Sequence, residues 1–392
     1  VSAIKQHEIN QDKLMDSFIQ LIAQAIDDKS HYTASHCERV PELAFMLADQ
    51  AEGSLAPAFR DFRFHSEEEW REFKVAAWLH DCGKITIPEH IVDKGSKLET
   101  IYNRIHEIRT RFEVLWRDAE ITYWQNMAQS PDNQAQHQAE LDSTLQQLKD
   151  DFAFVAAMNV GGEALNEDKK ARLDEIAQTT WIRHFSDRLG LSPADEDRLT
   201  TPENNLPCEE TLLSDKPEHI LLRDDGTGFE PHLGIKMAIP EHLYNQGELY
   251  NLKIERGTLT TEDRFKINEH IISTIRMLDA LPFPEELSRV PRYASTHHEK
   301  MDGTGFPLGL TRDQMSIPAR IMAIADVFEA LTAKERPYKT PLKLSEALGI
   351  MQRMRNNDHL DPDLYQLFIR SRVWRQYGEK HLDPVQLDVE DG

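Results

Sequence analysis

Cysteine is scarce: the 392 residues contain only Cys37, Cys82 and Cys208. Three thiols cannot build a disulfide framework, so a reduced, cytoplasmic setting is expected. No run approaches the roughly 18 apolar residues of a membrane-spanning helix, so no membrane contact within the chain is expected. Residues Val1 to Asp12 lack the basic-then-apolar layout of a secretory signal. An opening at Val1 reads as a piece of something longer, with room for an upstream sensor or membrane domain that tethers it. Basic residues are outnumbered, 45 against 68, for a net charge of −23. A general binder of polymeric nucleic acid or of anionic membranes needs a basic face, so both classes are excluded. A small anionic ligand is not, because a bound metal reverses the local field. Strand signals are sparse, and no HExxH motif supports a zincin protease.

What is present reads as an all-α protein. Hydrophobic residues make up 40% and charged residues 29%, a globular balance, and the length suits two or three domains or one with a large insertion. At the N-terminus Leu14, Phe18, Leu21 and Ala25 recur at helical spacing, with Ile22 and Ile26 beside them. Two readings stay open: a helix lying on the domain it precedes, or a linker and signalling helix over 1–27 through which a homodimer forms. A helix is predicted from Tyr32 to about Ala51, with Pro41 kinking it or marking its first turn. A second runs from Ser66, its cap, to Leu79, and Gly83 is read as the stop after it. Further helices are predicted at about 261–279, 284–298, 317–333 and 342–356. Between about 107 and 238 the texture changes to helical segments rich in Gln, Glu, Asp and Lys. One of these spans about 167–189, and a loop follows from Gly190 to about Gly228. Ile87-Pro88-Glu89-His90 recurs as Ile239-Pro240-Glu241-His242, as if the chain leaves a framework and rejoins it. The stretch 107–238 is therefore read as an insertion into one domain that occupies 28–392.

Seventeen histidines turn attention to metal sites. A lone helical histidine is usually structural, and His7, His31, His65, His90, His137, His184, His219, His232, His242, His359 and His381 are read so. Five places differ: His36, His80-Asp81, His270, His297-His298 and Asp326. Asp326 interrupts Ile321-Met322-Ala323-Ile324-Ala325 and Val327-Phe328, where a carboxylate is costly to bury unless paired or metal-bound. His80-Asp81 ends an apolar helix in the same way. Five histidines and two carboxylates are too many for one tetrahedral zinc. They suit two divalent ions sharing the Asp81 carboxylate, and N/O donors without thiolate favour iron or manganese. Two such ions form a clamp for phosphodiester hydrolysis. His106 is a rival to His270, but Thr260-Thr261-Glu262-Asp263 is a helix start that places His270 on one face with Ile267, Ile271 and Ile275.

In their order, several pieces resemble the HD-GYP family of HD phosphohydrolases. They are Tyr32-Thr33-Ala34-Ser35-His36, HDCGK at 80–84, His270, HHEKMDGTGFP at 297–307, Ala325-Asp326-Val327-Phe328-Glu329-Ala330-Leu331-Thr332 and Arg336-Pro337-Tyr338-Lys339. The resemblance implies an all-helical fold and hydrolysis of cyclic di-GMP to linear pGpG, and in some members GMP, as the output of a bacterial signalling protein. It implies one metal on His36, His80, Asp81 and Asp326, and another on Asp81, His270, His297 and His298. Lys84 would meet a phosphate and act with Asp81 in catalysis, and Asp302, Gly305, Phe306, Arg336 and Lys339 would line the ligand site. Phe306 stands where the family has Tyr, and Tyr32 where some members have a Glu for a third metal. Two alternatives remain: a catalytically weak nucleotide receptor acting through a protein partner, and a phosphohydrolase of another nucleotide.

Overall fold

The computed structural model describes residues 2–29, 36–162, 164–223, 228–334 and 341–389. Helices dominate, and the described residues form two compact units. The first comprises 1–92, 228–239 and 266–392, and the second 93–227 and 240–265.

The first unit opens with α1 (Ser2–Lys29), α2 (His36–Glu52), α3 (Glu67–Leu79) and the short α4 (Glu89–Val92). Ile19, Ala23 and Ile26 bury one stripe of α1, while Leu14, Phe18, Leu21 and Ile22 are exposed on it. The last turn of α1 reaches the start of α2 and the turn that follows α3. Asp27 accepts from the Cys37 amide at 3.1 Å. The Lys29 ammonium donates to the carbonyls of Lys84, Ile85 and Ile87. Ser66 caps α3 by accepting from the Glu69 amide, as expected. Pro41 sits inside α2.

In the second unit, α5 (Ile105–Gln129) and α6 (Gln134–Val160) pack against each other through a four-residue connection. Apolar residues gather only at their near ends: Ile105, Ile108 and Phe112 of α5 meet Val155 and Met158 of α6 in a core with Leu98, Leu173, Ile176 and Leu252. The distal turns, rich in Gln, Asp and Glu, are exposed. The unit continues with α7 (Glu167–Ala177), β1 (Thr180–Arg183), α8 (Pro193–Glu196), β2 (Cys208–Thr211), β3 (Ile220–Leu222), β4 (His242–Asn245) and α9 (Glu248–Leu252). The helix predicted over 167–189 therefore ends at Ala177. Thr180-Trp181-Ile182-Arg183, rich in strand-forming side chains, pairs antiparallel with 208–211 instead. The predicted loop after Gly190 likewise holds β2 and β3, the latter pairing with β4. Lys94 and Asp263, near the two ends of this unit, form a buried ion pair at 2.7 Å. The insertion expected at 107–238 is thus shorter than the second unit as it folds.

The predicted helix 261–279 is two helices, α10 (Thr261–Asn268) and α11 (His270–Asp279). Thr260 and Asp263 cap α10 reciprocally, at 3.0 and 3.1 Å. The first unit resumes with α11, α12 (Val290–Ala294), α13 (Ile317–Thr332), α14 (Leu344–Asn356), α15 (Pro362–Ser371) and α16 (Val373–His381). Instead of one helix over 284–298 there is a turn at 285–287 and the five-residue α12, since Pro284 and Pro291 bar a continuous ladder. Val40, Leu43 and Leu47 of α2, Phe73 and Ala76 of α3, and Ile321, Ile324 and Phe328 of α13 form the core. Among the described residues, no helix is long and apolar enough to cross a membrane.

Candidate metal centre

Each candidate histidine stands at a helix end, and that position decides which ring nitrogen it offers. His80 follows the last residue of α3, and its Nδ1 lies 2.7 Å from the Ala77 carbonyl. His270 opens α11, with Nδ1 2.6 Å from the Ile267 carbonyl. His297 lies just beyond α12, with Nδ1 2.8 Å from the Ala294 carbonyl. A carbonyl only accepts, so Nδ1 carries a proton in all three, and each Nε2 is left to face the site. His36, at the start of α2, makes the corresponding contact with a side chain: its Nδ1 is 2.5 Å from Glu329 Oε2.

The freed nitrogens converge on Asp81, and the two oxygens of that carboxylate face different partners. Oδ2 lies 3.1 Å from His36 Nε2 and 3.3 Å from His80 Nε2. Oδ1 lies 3.2 Å from His270 Nε2 and 3.9 Å from His297 Nε2. His298 Nε2 is 3.2 Å from His270 Nε2, and Asp326 Oδ1 is 3.4 Å from His36 Nε2. The donor atoms fall into two groups, His36, His80, Asp81, Asp326 and His270, His297, His298, each within 4.8 Å of one another. The Nε2 atoms of His80 and His297 and the Oδ1 of Asp81 are buried without a hydrogen-bond partner. Buried lone pairs facing one another are costly, and a cation among them removes the cost. The donor set therefore fits metal ions.

The electrostatics agree. Burial opposes ionisation of Asp81, yet Lys84, with Nζ 2.5 Å from Oδ2, holds it well below the usual carboxylate range. Burial likewise opposes the charge on Lys84, but Asp81 and Asp326 outweigh it and raise its pKa. Burial pushes His297 down to about 4 and, with His297 and His270 as neighbours, takes His298 well below its ordinary value. Both rings are thus neutral ligands at physiological pH. Asp326 is lowered by His36 despite its burial.

The structure thus brings together all seven predicted donors. His106 is exposed on α5, with Arg109 2.9 Å from its Nδ1, and belongs to neither group. Phe306 stacks on His298, ring centroids 4.9 Å apart at 25°. Asp302 is exposed and accepts from the amide and hydroxyl of Thr304 at 2.9 and 2.8 Å. Gly305 lies against the Glu299 and Lys300 backbone so closely that a Cβ would come within 2.3 Å of the Lys300 nitrogen. Arg336 and Lys339, like Tyr32, lie outside the described residues.

Three features escaped the sequence reading. Glu299, buried directly after the two histidines, accepts from the Leu308 and Leu310 amides at 2.6 and 2.8 Å and so ties the DGTGFP loop to the metal-site segment. Glu329 lies one turn beyond Asp326 in the same apolar helix, and the argument applied to Asp326 would have found it. Gly83 is not a helix stop: α3 has already ended at Leu79. Its missing side chain instead admits α11, because a Cβ there would lie 1.9 Å from the His270 carbonyl oxygen.

Comparison with known proteins agrees with this geometry. A family model described as HD domain matches residues 207–364, a stretch that holds His270, His297, His298 and Asp326. A cyclic di-GMP phosphodiesterase of Pseudomonas aeruginosa is 32% identical over 151 residues, 38% of this chain and 33% of that protein. A probable cyclic di-GMP phosphodiesterase of Vibrio cholerae is 45% identical over 152 residues, covering 35% and 33%. The stretch 207–364 is thus similar to an HD domain. A 3'3'-cGAMP-specific phosphodiesterase of V. cholerae is also similar, 43% identical over 112 residues, covering 28% of this chain and 23% of that one. The chain spans between 19% and 36% of the length of the curated relatives it matches. His36, His80 and Asp81 lie before the stretch that the family model matches.

Proposed function

We propose that the chain is a metal-dependent phosphodiesterase that hydrolyses cyclic di-GMP to linear pGpG, as the cytoplasmic output of a bacterial signalling protein. The observation that carries this reading is the Asp81 carboxylate, whose two oxygens face two separate groups of imidazole nitrogens. Two divalent ions, iron or manganese by donor type, would be held by His36, His80, Asp81 and Asp326 on one side and by Asp81, His270, His297 and His298 on the other. The chemistry such ions supply is polarisation of a phosphoryl oxygen and activation of water.

The chain's own residues do the rest. Lys84 stays protonated beside Asp81, so its ammonium can approach a phosphate and donate to the departing oxygen. Phe306 presents a ring face on which a guanine stacks, with Gly305 and Asp302 beside it. Arg336 and Lys339 supply cationic contacts to the phosphates. The exposed Leu14, Phe18, Leu21 and Ile22 of α1 are the surface through which a homodimer would form.

A second substrate is favoured by the names of relatives: several are specific for 3'3'-cGAMP, in which one guanine is replaced by adenine. The test is metal analysis of anaerobically prepared protein, then incubation with each cyclic dinucleotide and chromatography of the products. Conversion of cyclic di-GMP to pGpG supports the reading. Tight binding without cleavage of either nucleotide would make the chain a receptor.

A further inference from the structure

The histidines of this centre are not all held alike. His80, His270 and His297 each donate from Nδ1 to a main-chain carbonyl three residues back. His36 is the first residue of α2, so α2 supplies no such carbonyl. Its Nδ1 meets the buried Glu329 carboxylate at 2.5 Å. The other oxygen of Glu329 is taken by Arg39, with Nε at 2.8 Å and a terminal guanidinium nitrogen at 2.7 Å. His36 and Arg39 are one turn apart on α2, and Asp326 and Glu329 one turn apart on α13. The two helices therefore meet through four charged or polar side chains, two of which, His36 and Asp326, are candidate metal donors.

We propose that Glu329, clamped by Arg39, is a positioning residue that sets His36 as a ligand and makes the His36–His80–Asp81–Asp326 group the tighter of two unequal cation positions. The inference rests on the metal-centre reading above and goes beyond it. A carboxylate is a stronger acceptor than a carbonyl, and it raises the basicity of the imidazole it holds. This group also contains Asp326 and the Asp81 oxygen nearer His36, with the Glu329 charge behind them. The His270, His297 and His298 group has three imidazoles and, for negative charge, only the other Asp81 oxygen. A divalent ion therefore meets a second carboxylate donor, Asp326, on the His36 side, although Lys84 beside Asp81 Oδ2 and Arg39 beside Glu329 offset part of the negative charge there. Arg39 fixes the carboxylate rotamer, so that Glu329 faces the ring and leaves the metal donors unoccupied.

The test is titration of the metal-free full chain with Co2+ against a competing chelator, read by visible absorption without nucleotide. Two binding steps are expected. His298→Ala should remove the weaker step and leave the tighter one. Glu329→Gln, which keeps the shape but not the charge, should weaken the tighter step about 10–100-fold and the other less than about threefold. Glu329→Asp should recover part of the loss. The melting temperature of metal-free Glu329→Gln serves as the control for folding. The inference is overturned if Glu329→Gln weakens both steps equally or neither, if His298→Ala removes the tighter step, or if the chain takes up no more than one Co2+. Because no nucleotide is used, two unequal Co2+ steps with no hydrolysis of cyclic di-GMP would sink the proposed activity and leave this inference standing.

Discussion

Adding one methyl group at Gly83 should disable the metal centre from a position that bears no ligand. A Cβ there would lie 1.9 Å from the His270 carbonyl oxygen, 2.5 Å from the Thr274 nitrogen and 2.7 Å from the Thr274 hydroxyl. Non-bonded heavy atoms prefer about 3.5 Å, so the turn and α11 must separate by about 1.5 Å. Two of the three obstacles are main-chain atoms of a helix, and no rotamer change relieves them. Overpacking of this kind costs about 1–3 kcal/mol. Opening the gap also breaks the 3.0 Å hydrogen bond from the Gly83 amide to the Thr274 hydroxyl, worth about 1 kcal/mol. Gly83→Ala should therefore destabilise the first unit by about 2–4 kcal/mol and lower its melting temperature by roughly 5–15 °C. The movement begins at His270, the first residue of α11, and carries its Nε2 away from Asp81. Metal content should fall together with stability. Thr274→Ala, which loses the hydrogen bond without the clash, should cost only about 1 kcal/mol and keep the metals. Thermal unfolding of the metal-free proteins, with metal analysis of the loaded ones, reads both effects. A Gly83→Ala protein that melts within about 2 °C of the parent and holds its full metal complement would refute the argument.

Asp81→Ala should empty both donor groups, whereas Lys84→Ala should keep the metals and lose rate; metal analysis beside turnover separates the two, and an emptied site in Lys84→Ala would show the lysine to be structural. Phe306→Tyr should change nucleotide affinity by no more than about one hydrogen bond, roughly 0.5–1.5 kcal/mol, if the ring acts by stacking. Direct binding measurements check this, and hydrolysis appearing only in the Tyr variant would mark the parent as a receptor. Burial, with Lys169 nearby, pushes Lys97 down to about 8 from an ordinary 10.5, while its ammonium donates to the Leu252 and Ile254 carbonyls at 2.9 and 2.7 Å. Below pH 8 the folded and unfolded chains both carry this proton, and the folded one bears the cost of a buried charge. Between pH 8 and 10.5 the folded chain releases it first. The stability of the parent relative to Lys97→Met should therefore rise with pH across that window, as followed by denaturant unfolding; a flat difference would contradict it.

The candidate metal donors stood out in the sequence because a charged or imidazole side chain inside an apolar helical pattern has few inexpensive explanations. Asp326 and His80-Asp81 have that signature, and His270 was separated from His106 by the capping box that starts α10. Glu329 has the same signature but was passed over, because its role is exercised on His36, 293 residues away. Gly83 was misread because a glycine after a helix has a ready local explanation, and only the approach of α11 reveals the other one. The second unit was the least legible. The strand 180–183 owes its existence to a partner at 208–211, and no periodicity within four residues reports a pairing made so far along the chain.

The Phe306 stack on His298 has a thermodynamic consequence. Phe306 covers the face of the imidazole whose Nε2 points toward His270, and the Phe306 amide returns to the His298 carbonyl at 3.3 Å. One ring thus offers its edge to a cation and its face to the residue that would receive a base. An ion that fixes the tilt of His298 also fixes the platform beneath Phe306, and a nucleotide that orders Phe306 orders His298. By linkage the two effects are equal: the factor by which metal strengthens nucleotide binding is the factor by which nucleotide strengthens metal binding. On the function proposed above, metal and nucleotide would then act on this centre as coupled inputs, whichever sign the coupling takes.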